Sequence, residues 1–390
     1  MTITLTSLDW IGRLIALDTT SRNSNLPLID LVADRLDQLG ASVSVRPNET
    51  GDKANLIATI ASATGSTAGG LVLSGHTDVV PVDGQVWTSD PFAMAVRDDK
   101  IYGRGVADMK GFIGVALSMA PRMVNLRLRE PIHFALSYDE EIGLFGGAQM
   151  RQDFEALGSN PQRCVVGEPT GMRIIDTHKS FSLVQITVRG RDGHSSLAPN
   201  FVSAAYYAAE VISFVRDLAE EFELDGPFDN GYDMPFSTIS VNHVAGGSFG
   251  NTVPAECRIR LDFRTIAEVD PGLVMARIRE RTAAIAAVMQ SKDPTTGIEI
   301  DILAVAPGLA ADPRSPLTSM LTAAGATAAG DKMAGATEAG FFHDMGIDTV
   351  VCGPGNIAQA HIADEYVSLD QIHQCERVVA TLVDSLGEDA

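Results

Sequence analysis

The first half of this chain alternates short apolar runs with helical segments. The apolar runs have the length of β-strands, and the helical run "MKGFIGVALSMAPRM" lies between two of them. The runs are "NLIATI" (55–60), "GLVLSG" (70–75), "IHFALS" (132–137) and "RCVVG" (163–167). Strands that alternate with helices predict an α/β layered domain, built around a mixed and mostly parallel sheet flanked by helices.

The pattern changes near residue 179. The segments "SLVQITVRG" and "AECRIRLDFR" alternate apolar and polar residues, and residues 201–222 form a strongly amphipathic helix. Strands with one apolar face predict an antiparallel sheet covered on one side. After Pro307 the α/β pattern returns with "DTVVCGPG". We therefore predict one domain made of residues 1–178 and 308–390, and an inserted α+β domain of residues 179–307.

Length, charge and apolar content exclude several classes of protein. A chain of 390 residues favours two domains, and its net charge of -21 argues against a nucleic-acid partner. No segment reaches the roughly 18 apolar residues of a membrane span, and the N-terminus does not resemble a signal peptide. Four widely spaced cysteines predict free thiols in a reducing cytoplasm: Cys164, Cys257, Cys352 and Cys375.

Acids and histidines follow the apolar runs, each in a loop that contains glycine or proline. In open α/β sheets the ligand crevice lies at the carboxyl ends of the strands, so we expect these side chains to converge. They are His76 and Asp78 in "LVLSGHTDVVP", Asp108 in "GRGVADMKG", Asp139, Glu140 and Glu141 in "ALSYDEEIG", Glu168 in "VVGEPT", and His361 in "GPGNIAQAHIADEY".

Two imidazoles and three carboxylates are a suitable ligand set for two zinc ions. Two metal ions about 3.5–4 Å apart need a shared carboxylate, and hydrolysis needs one acid that binds no metal and accepts a proton from water. Consecutive side chains in extended backbone point opposite ways, so Glu141 can bind metal while Glu140 faces the substrate. Asp78 is placed to hold the second ring nitrogen of His76.

Each motif alone has a simpler interpretation. A His-x-Asp sequence after a strand is usually structural, a Glu-Glu pair is usually solvated surface, and "GEP" by itself indicates a turn. A metallophosphoesterase would also use His-x-Asp, but the sequence places no phosphate-binding basic residues near His76. The ordered set of motifs favours a metal site.

Taken together, the motifs "GHTDVVP", "GRGVADMKG", "YDEEIG", "GEPT", "GHSS" and "AHIADEY" resemble those of a known family. It is the zinc peptidase and deacylase family that contains acetylornithine deacetylase, succinyl-diaminopimelate desuccinylase and carboxypeptidase G. The resemblance spans nearly the whole chain. It implies that His76 and Glu168 bind one zinc ion, that Glu141 and His361 bind the other, and that Asp108 bridges them. It also implies that Glu140 is the general base and that Asp78 orients His76.

The resemblance further assigns roles to the inserted domain. In this family the domain acts as a lid and a dimerisation domain, which implies a homodimer. His194 in "GRDGHSS" matches a histidine that relatives lend to the partner's active site, where it stabilises the oxyanion. From the sequence alone, a histidine between glycine and serine is more often a turn residue.

The substrate is predicted from the same resemblance. The segment "GATEAG" (335–340) looks more like acetylornithine deacetylases than desuccinylases, and its Glu338 would accept a cationic or amide group of the substrate, or would be an exposed loop acid with no role. Lys179, Asn251 and Arg264 match positions at which relatives bind a substrate carboxylate. A lysine offers a point charge rather than a bidentate fork, so binding at residue 179 would be looser.

We therefore expect hydrolysis of an N-acyl amino acid, N2-acetyl-L-ornithine first, as a step of arginine biosynthesis. Alternatives within the family are a desuccinylase, a dipeptidase or another N-acyl-amino-acid deacylase. An alternative from another class is a metal-binding homologue without catalysis, although the base, the bridge and all four terminal ligands are present. Cobalt or manganese could occupy the same ligands.

Overall fold

The four apolar runs predicted as strands all lie in one six-stranded sheet of the computed structural model, which describes residues 5–328, 330 and 332–388. The chain divides into two compact units. The larger comprises Met1–Thr177, Leu309–Asp331 and Thr337–Ala390, and the smaller comprises His178–Gly308 and Lys332–Ala336. The sequence pattern gave no sign that the segment Lys332–Ala336 belongs with the smaller unit.

The helices and strands run in the following chain order. The first are α1 (Ser7–Ile15), α2 (Leu26–Gln38), β1 (Ser42–Pro47), β2 (Ala54–Ile60), β3 (Leu71–His76), β4 (Ala95–Arg97), β5 (Lys100–Tyr102), α3 (Gly111–Asn125), β6 (Ile132–Ser137), α4 (Phe145–Ala156), β7 (Arg163–Pro169) and β8 (Arg173–Ile174). The smaller unit holds β9 (Phe181–Arg189), β10 (Gly193–His194), α5 (Ala204–Asp225), β11 (Thr238–Gly246), β12 (Thr252–Val253), β13 (Glu256–Arg264), α6 (Pro271–Lys292) and β14 (Gly297–Ala306). The last are α7 (Pro316–Ala323), β15 (Thr327–Ala328), α8 (Ala339–Asp344), β16 (Asp348–Gly353), β17 (Tyr366–Ser368) and α9 (Leu369–Asp384).

The central sheet of the larger unit has the strand order β1-β2-β6-β3-β7-β16. Strands β6, β3, β7 and β16 are mutually parallel, while β1 and β2 run antiparallel at one edge. Every residue of β3 and β6 is buried because helices cover both faces of the sheet. The prediction of a mixed, mostly parallel sheet flanked by helices is confirmed.

Helix α3 lies very close to the sheet where β7 ends. A Cβ atom on Gly167 would lie 1.9 Å from the ring of Phe112, so only glycine allows this approach. On the opposite face, the ring of Phe154 in α4 packs edge-on against His133 of β6 and against Phe342 of α8. Phe112 thus holds the start of α3 against the end of β7, and Phe154 holds α4 against β6 and α8.

The parallel register brings three strand ends to one edge of the sheet. His76 at the end of β3 pairs with Ser137 at the end of β6, and Ser74 of β3 pairs with Val166 of β7. The loop that begins after Ser137 and the last residues of β7, which include Glu168, therefore lie beside His76. This edge is the predicted location of the ligand crevice.

The smaller unit is an antiparallel sheet of order β11-β13-β9-β14, packed against α5 and α6. The predicted alternation is observed in β13, where Ile259 and Leu261 are buried and Arg258 and Arg260 are exposed. The apolar faces of β9 and β13 form a second hydrophobic core with the two helices, separate from the core of the larger unit.

All four cysteines are free and buried. Across the described ranges, none of the helices combines the length and the apolar character needed to cross a bilayer.

Candidate metal centre

His76 is the last residue of β3 and its ring is buried. Its Nδ1 lies 3.0 Å from the backbone carbonyl oxygen of Asp78, which can only accept, so Nδ1 carries a proton and donates it there. In the neutral ring, Nε2 then offers a lone pair. That nitrogen faces Asp108 Oδ1 at 2.8 Å and Glu168 Oε1 at 3.6 Å.

Asp108 faces a different histidine with each of its carboxylate oxygens. Oδ1 lies 2.8 Å from Nε2 of His76, and Oδ2 lies 3.2 Å from Nε2 of His361, which is also 3.1 Å from Glu141 Oε2. Two groups result, one of His76, Asp108 and Glu168 and one of Asp108, Glu141 and His361. Within each group the candidate ligand atoms lie within 4.8 Å of one another, and Asp108 belongs to both.

The charges of this cluster fit two divalent cations. Burial raises the pKa of the Glu168 carboxyl well above its usual range, and the Asp108 carboxylate raises it further. Hydrogen bonds to Asp108 and Glu141 raise the pKa of His361 to about 10. Burial and the Asp108 carboxylate also raise the pKa of Glu141, whereas hydrogen bonds from His361 and His76 outweigh burial and lower the pKa of Asp108. Without other positive charge, the two glutamates and the two histidines therefore hold protons in place of cations. Nitrogen and carboxylate oxygen donors in this number suit zinc, with cobalt or manganese as substitutes.

Asp78 contacts His76 differently from the sequence-based expectation. Its backbone carbonyl orients the ring, whereas its carboxylate Oδ1 lies 3.6 Å from Nδ1, too far for a hydrogen bond. The carboxylate instead accepts from the backbone N–H of Glu140 at 3.0 Å and from the hydroxyl of Ser21 at 2.6 Å. Asp78 therefore fixes the loop that carries Glu140 as well as the ring.

Glu140 is partly exposed and belongs to neither ligand group among the described residues. Burial of its carboxyl raises its pKa well above the ordinary value, and the neighbouring Glu141 and Asp108 carboxylates contribute. Its loop is also tied through Asp139, which forms a buried ion pair with Lys53. A carboxyl group with a raised pKa, beside but outside the ligand groups, is suited to accept and release a proton.

His194 lies in β10 of the smaller unit and is exposed. Its Nδ1 accepts from the backbone N–H of Ser196 at 3.3 Å and lies 2.8 Å from the Ser196 hydroxyl. The neutral ring therefore carries its proton on Nε2, which makes that nitrogen a hydrogen-bond donor. Its predicted role at an active site stays a prediction.

The three residues predicted to bind a substrate carboxylate all lie in the smaller unit. Lys179 is buried and donates from Nζ to the carbonyls of Met234 at 2.9 Å and Phe236 at 2.5 Å. Asn251 is exposed, and Arg264 is partly exposed with its guanidinium 4.8 Å from the ring of Phe181. Two of the three Lys179 donors are thus already used inside the protein.

Glu338 is buried at 0 % exposure, whereas the alternative left open by the sequence was an exposed loop acid. Neither of its carboxylate oxygens has a hydrogen-bond partner among the described residues. Burial raises its pKa from 4.5 to about 7. Its predicted contact with the substrate stays a prediction, and the burial has a separate consequence for stability.

Glu338→Gln is expected to remove a pH dependence of folding. Below pH 4.5 the carboxyl is protonated in both states, so burial costs little; between 4.5 and 7 the folded state retains a proton that the unfolded state loses, and stability falls as the pH rises. Glutamine stays neutral. The difference in the free energy of unfolding between the variant and the natural protein should therefore increase by about 2–3 kcal/mol from pH 5 to pH 8. Urea unfolding at the two pH values measures it. The exposed Glu155→Gln should show no such gain; an equal difference at both pH values for Glu338→Gln would contradict the expectation.

The structure also reveals supporting residues that the sequence did not single out as part of the site. Arg104 and Glu365 form a buried ion pair, and Glu365 accepts from the backbone N–H of Asp108. Both stand inside the quoted motifs "GRGVADMKG" and "AHIADEY", so their position near Asp108 and His361 in the sequence was a usable signal. Nothing in a single sequence marks Lys53, which pairs with Asp139, or Gln85, which donates to the carbonyl of His361.

Comparison with known proteins matches this arrangement to a family. The sequence profile of peptidase family M20/M25/M40 matches residues 72–385, which is most of the chain and includes every residue of the two ligand groups. The chain belongs to this family. It is therefore a hydrolase of the M20 family, with residues placed to bind metal ions.

Individual relatives agree with this assignment. The acetylornithine deacetylase of Myxococcus xanthus is 32% identical over 376 residues, which cover 96% of this chain and 95% of that protein. The M20 family metallo-carboxypeptidase of Sulfolobus solfataricus has a TM-score of 0.74 at 18% identity, covering 97% of this chain and 98% of that one. The Bacillus subtilis YXEP protein, a dinuclear metal binding peptidase of the family, has a TM-score of 0.64 at 15% identity, with 97% and 98% covered. The two structures show the shared fold.

Proposed function

We propose that the protein is a two-zinc amidohydrolase that cleaves N2-acetyl-L-ornithine to acetate and L-ornithine, in the cytoplasm and as part of arginine biosynthesis. The observation that carries the two-metal assignment is the Asp108 carboxylate, whose two oxygens face separate histidine–carboxylate groups. His76 and Glu168 would hold one ion, and Glu141 and His361 the other. The identity with an acetylornithine deacetylase over nearly the whole chain supports the substrate.

The chain's own residues then divide the chemistry between them. When bound, the two ions would polarise the amide carbonyl and lower the pKa of water towards neutrality. Glu140 accepts a proton from the water while the water oxygen forms a bond to the carbonyl carbon. The same carboxyl donates that proton to the amide nitrogen as the carbon–nitrogen bond breaks, which releases acetate and the free amine. Asp78 holds Glu140 in place through the Glu140 backbone N–H.

The smaller unit is proposed to form the dimer interface and to supply His194 to the partner's active site. There the Nε2–H of His194 would donate to the oxygen of the amide carbonyl as negative charge develops on it. Lys179, Asn251 and Arg264 are proposed to bind the substrate carboxylate, and Glu338 to act near the amine. The strongly negative chain also favours a substrate with a cationic side chain.

His194→Ala is expected to lower kcat by about 10²- to 10³-fold while both metal ions stay bound, because a donor to the developing oxyanion acts mainly in the transition state. Steady-state kinetics with metal analysis measures this. His373→Ala, which removes another exposed histidine, should leave kcat unchanged. A His194→Ala enzyme with the natural kcat would exclude the oxyanion role.

The substrate assignment is tested with a panel assayed on chelator-treated protein reloaded with zinc or cobalt. The panel contains N2-acetyl-L-ornithine, N-succinyl-diaminopimelate, a dipeptide and acetylated amino acids with neutral side chains. The highest kcat/KM is expected for N2-acetyl-L-ornithine. A higher value for another member would identify a different specificity within the family. Metal binding without hydrolysis of any member would indicate the non-catalytic homologue.

A further inference from the structure

Glu365 is a buried carboxylate whose hydrogen bonds converge on the loop that carries Asp108. Its side chain is 1 % exposed. Oε2 accepts from the backbone N–H of Gly105 at 2.9 Å and pairs with Arg104 Nη1 at 2.7 Å. Oε1 accepts from the backbone N–H groups of Ala107 at 2.8 Å and Asp108 at 3.2 Å. One carboxylate thus receives four donors from five consecutive residues.

The backbone of this loop is shaped around the carboxylate. Gly105 has φ 81°, and a Cβ there would lie 2.6 Å from a methyl carbon of Val79, so the turn requires glycine. Successive N–H groups in such a turn form a concave site for an anion. A buried carboxylate that loses these donors has no water to replace them, so Asp108 cannot shift without breaking several charged hydrogen bonds together.

The hydrogen bonds that begin at Glu365 and Arg104 also extend to His361. Arg104 Nη2 donates to Gln85 Oε1 at 2.6 Å, and Gln85 Nε2 donates to the backbone carbonyl of His361 at 2.9 Å. Glu365 itself follows His361 by four residues. The segment 361–365 is therefore tied to the Asp108 loop at both ends, once through Glu365 and once through Gln85.

The two ligand groups depend unequally on this tie. In the group of Asp108, Glu141 and His361, two of three members lie in segments held by Glu365 and Gln85. In the other group only Asp108 does, since His76 and Glu168 belong to strands β3 and β7. Loss of the hydrogen bonds made by Glu365 or Gln85 should therefore lower the metal affinity of the group that contains His361 more than that of the other group.

We propose that Glu365 is a positioning residue that sets the spacing between Asp108 and His361 and thereby the affinity of the Asp108–Glu141–His361 group for its metal ion. This inference rests on the proposed two-metal function. It differs from a purely structural ion pair, because Glu365 acts on one metal position selectively rather than on folding alone.

The test is a cobalt titration of the full-length, chelator-treated protein. Metal binding is monitored by calorimetry and by the visible absorption of Co²⁺. The natural protein should bind two ions per chain. Glu365→Gln keeps the shape but replaces an accepting oxygen with a donor. The site that His361→Ala also weakens should therefore lose about 10- to 100-fold in affinity, while the other site changes by less than about threefold. Saturating cobalt should restore most of the kcat.

Two further variants separate positioning from stability. Glu130→Gln removes the carboxylate partner of Arg163, a half-buried ion pair of the same unit outside the cluster, and should leave both affinities unchanged. Gln85→Ala changes a partly exposed side chain and should weaken the same site as Glu365→Gln, by about fivefold, even if Glu365→Gln does not fold.

The outcomes distinguish the two proposals. If the natural protein binds two ions and both Glu365→Gln and Gln85→Ala bind them with unchanged affinity, the positioning role is wrong and the two-metal function stands. Equal weakening of both sites would also contradict the selective role. If the natural protein binds fewer than two ions, the proposed function itself fails, and the inference fails with it.

Discussion

Glu140→Gln is expected to lose about 10³-fold in kcat while both metal ions remain bound. Glutamine has nearly the same shape, but its amide cannot accept a proton from water or return it to the departing nitrogen, and general acid–base catalysis contributes about 10²- to 10⁴-fold. Glu140 lies outside both ligand groups, so its replacement should not release metal. Steady-state kinetics combined with metal analysis of the same preparation measures both quantities.

The exposed Glu155→Gln serves as the matched control, because it makes the same chemical change away from the cluster. Its kcat and metal content should equal those of the natural protein. A Glu140→Gln enzyme with more than about a tenth of the natural kcat would exclude Glu140 as the base. Loss of a metal ion from that variant would instead place Glu140 among the ligands.

Asp108→Ala is expected to weaken the binding of both metal ions together. Each carboxylate oxygen of Asp108 faces a different group, so the substitution removes one ligand from each. The loss should exceed about 100-fold at both sites, because even outer partners of ligands cost 10- to 100-fold. Zinc competition with a chromophoric chelator measures the two affinities.

The histidine variants provide the comparison for Asp108. His361→Ala removes a half-exposed side chain that belongs to one group only, and His76→Ala removes the buried ring of the other. Each should mainly weaken one site. If Asp108→Ala weakened only one site, or if His361→Ala weakened both equally, Asp108 would not be the shared ligand.

The central sheet could be predicted because its strands are short apolar runs buried on both faces. Periodicity also identified α3, α5 and the one-sided strands β9 and β13. Strands β1 and β14 were not predicted, although both alternate apolar and polar residues as one-sided strands do, in "SVSV" (42–45) and "IEIDI" (298–302).

The candidate ligands were identifiable because each follows a strand in a distinctive motif. The supporting contacts were less accessible. Asp78 holds the His76 ring through its main chain, which no residue type can signal, and its carboxylate binds the Glu140 loop. Glu338 lies in a segment of small residues whose pattern predicts a loop. Its burial depends on packing between distant parts of the chain, which the sequence does not show. Glu365 could be noticed in its motif, but its four donors come from residues about 260 positions away.

The most direct test of the two-zinc amidohydrolase is a zinc titration of chelator-treated protein in the presence of N2-acetyl-L-ornithine, with acetate and ornithine measured together. The proposed mechanism predicts no turnover without metal and equimolar release of both products, with the rate rising until two zinc ions are bound per chain. Failure to release acetate from this substrate, or the corresponding acid from any other N-acyl amino acid, at any zinc concentration would contradict it.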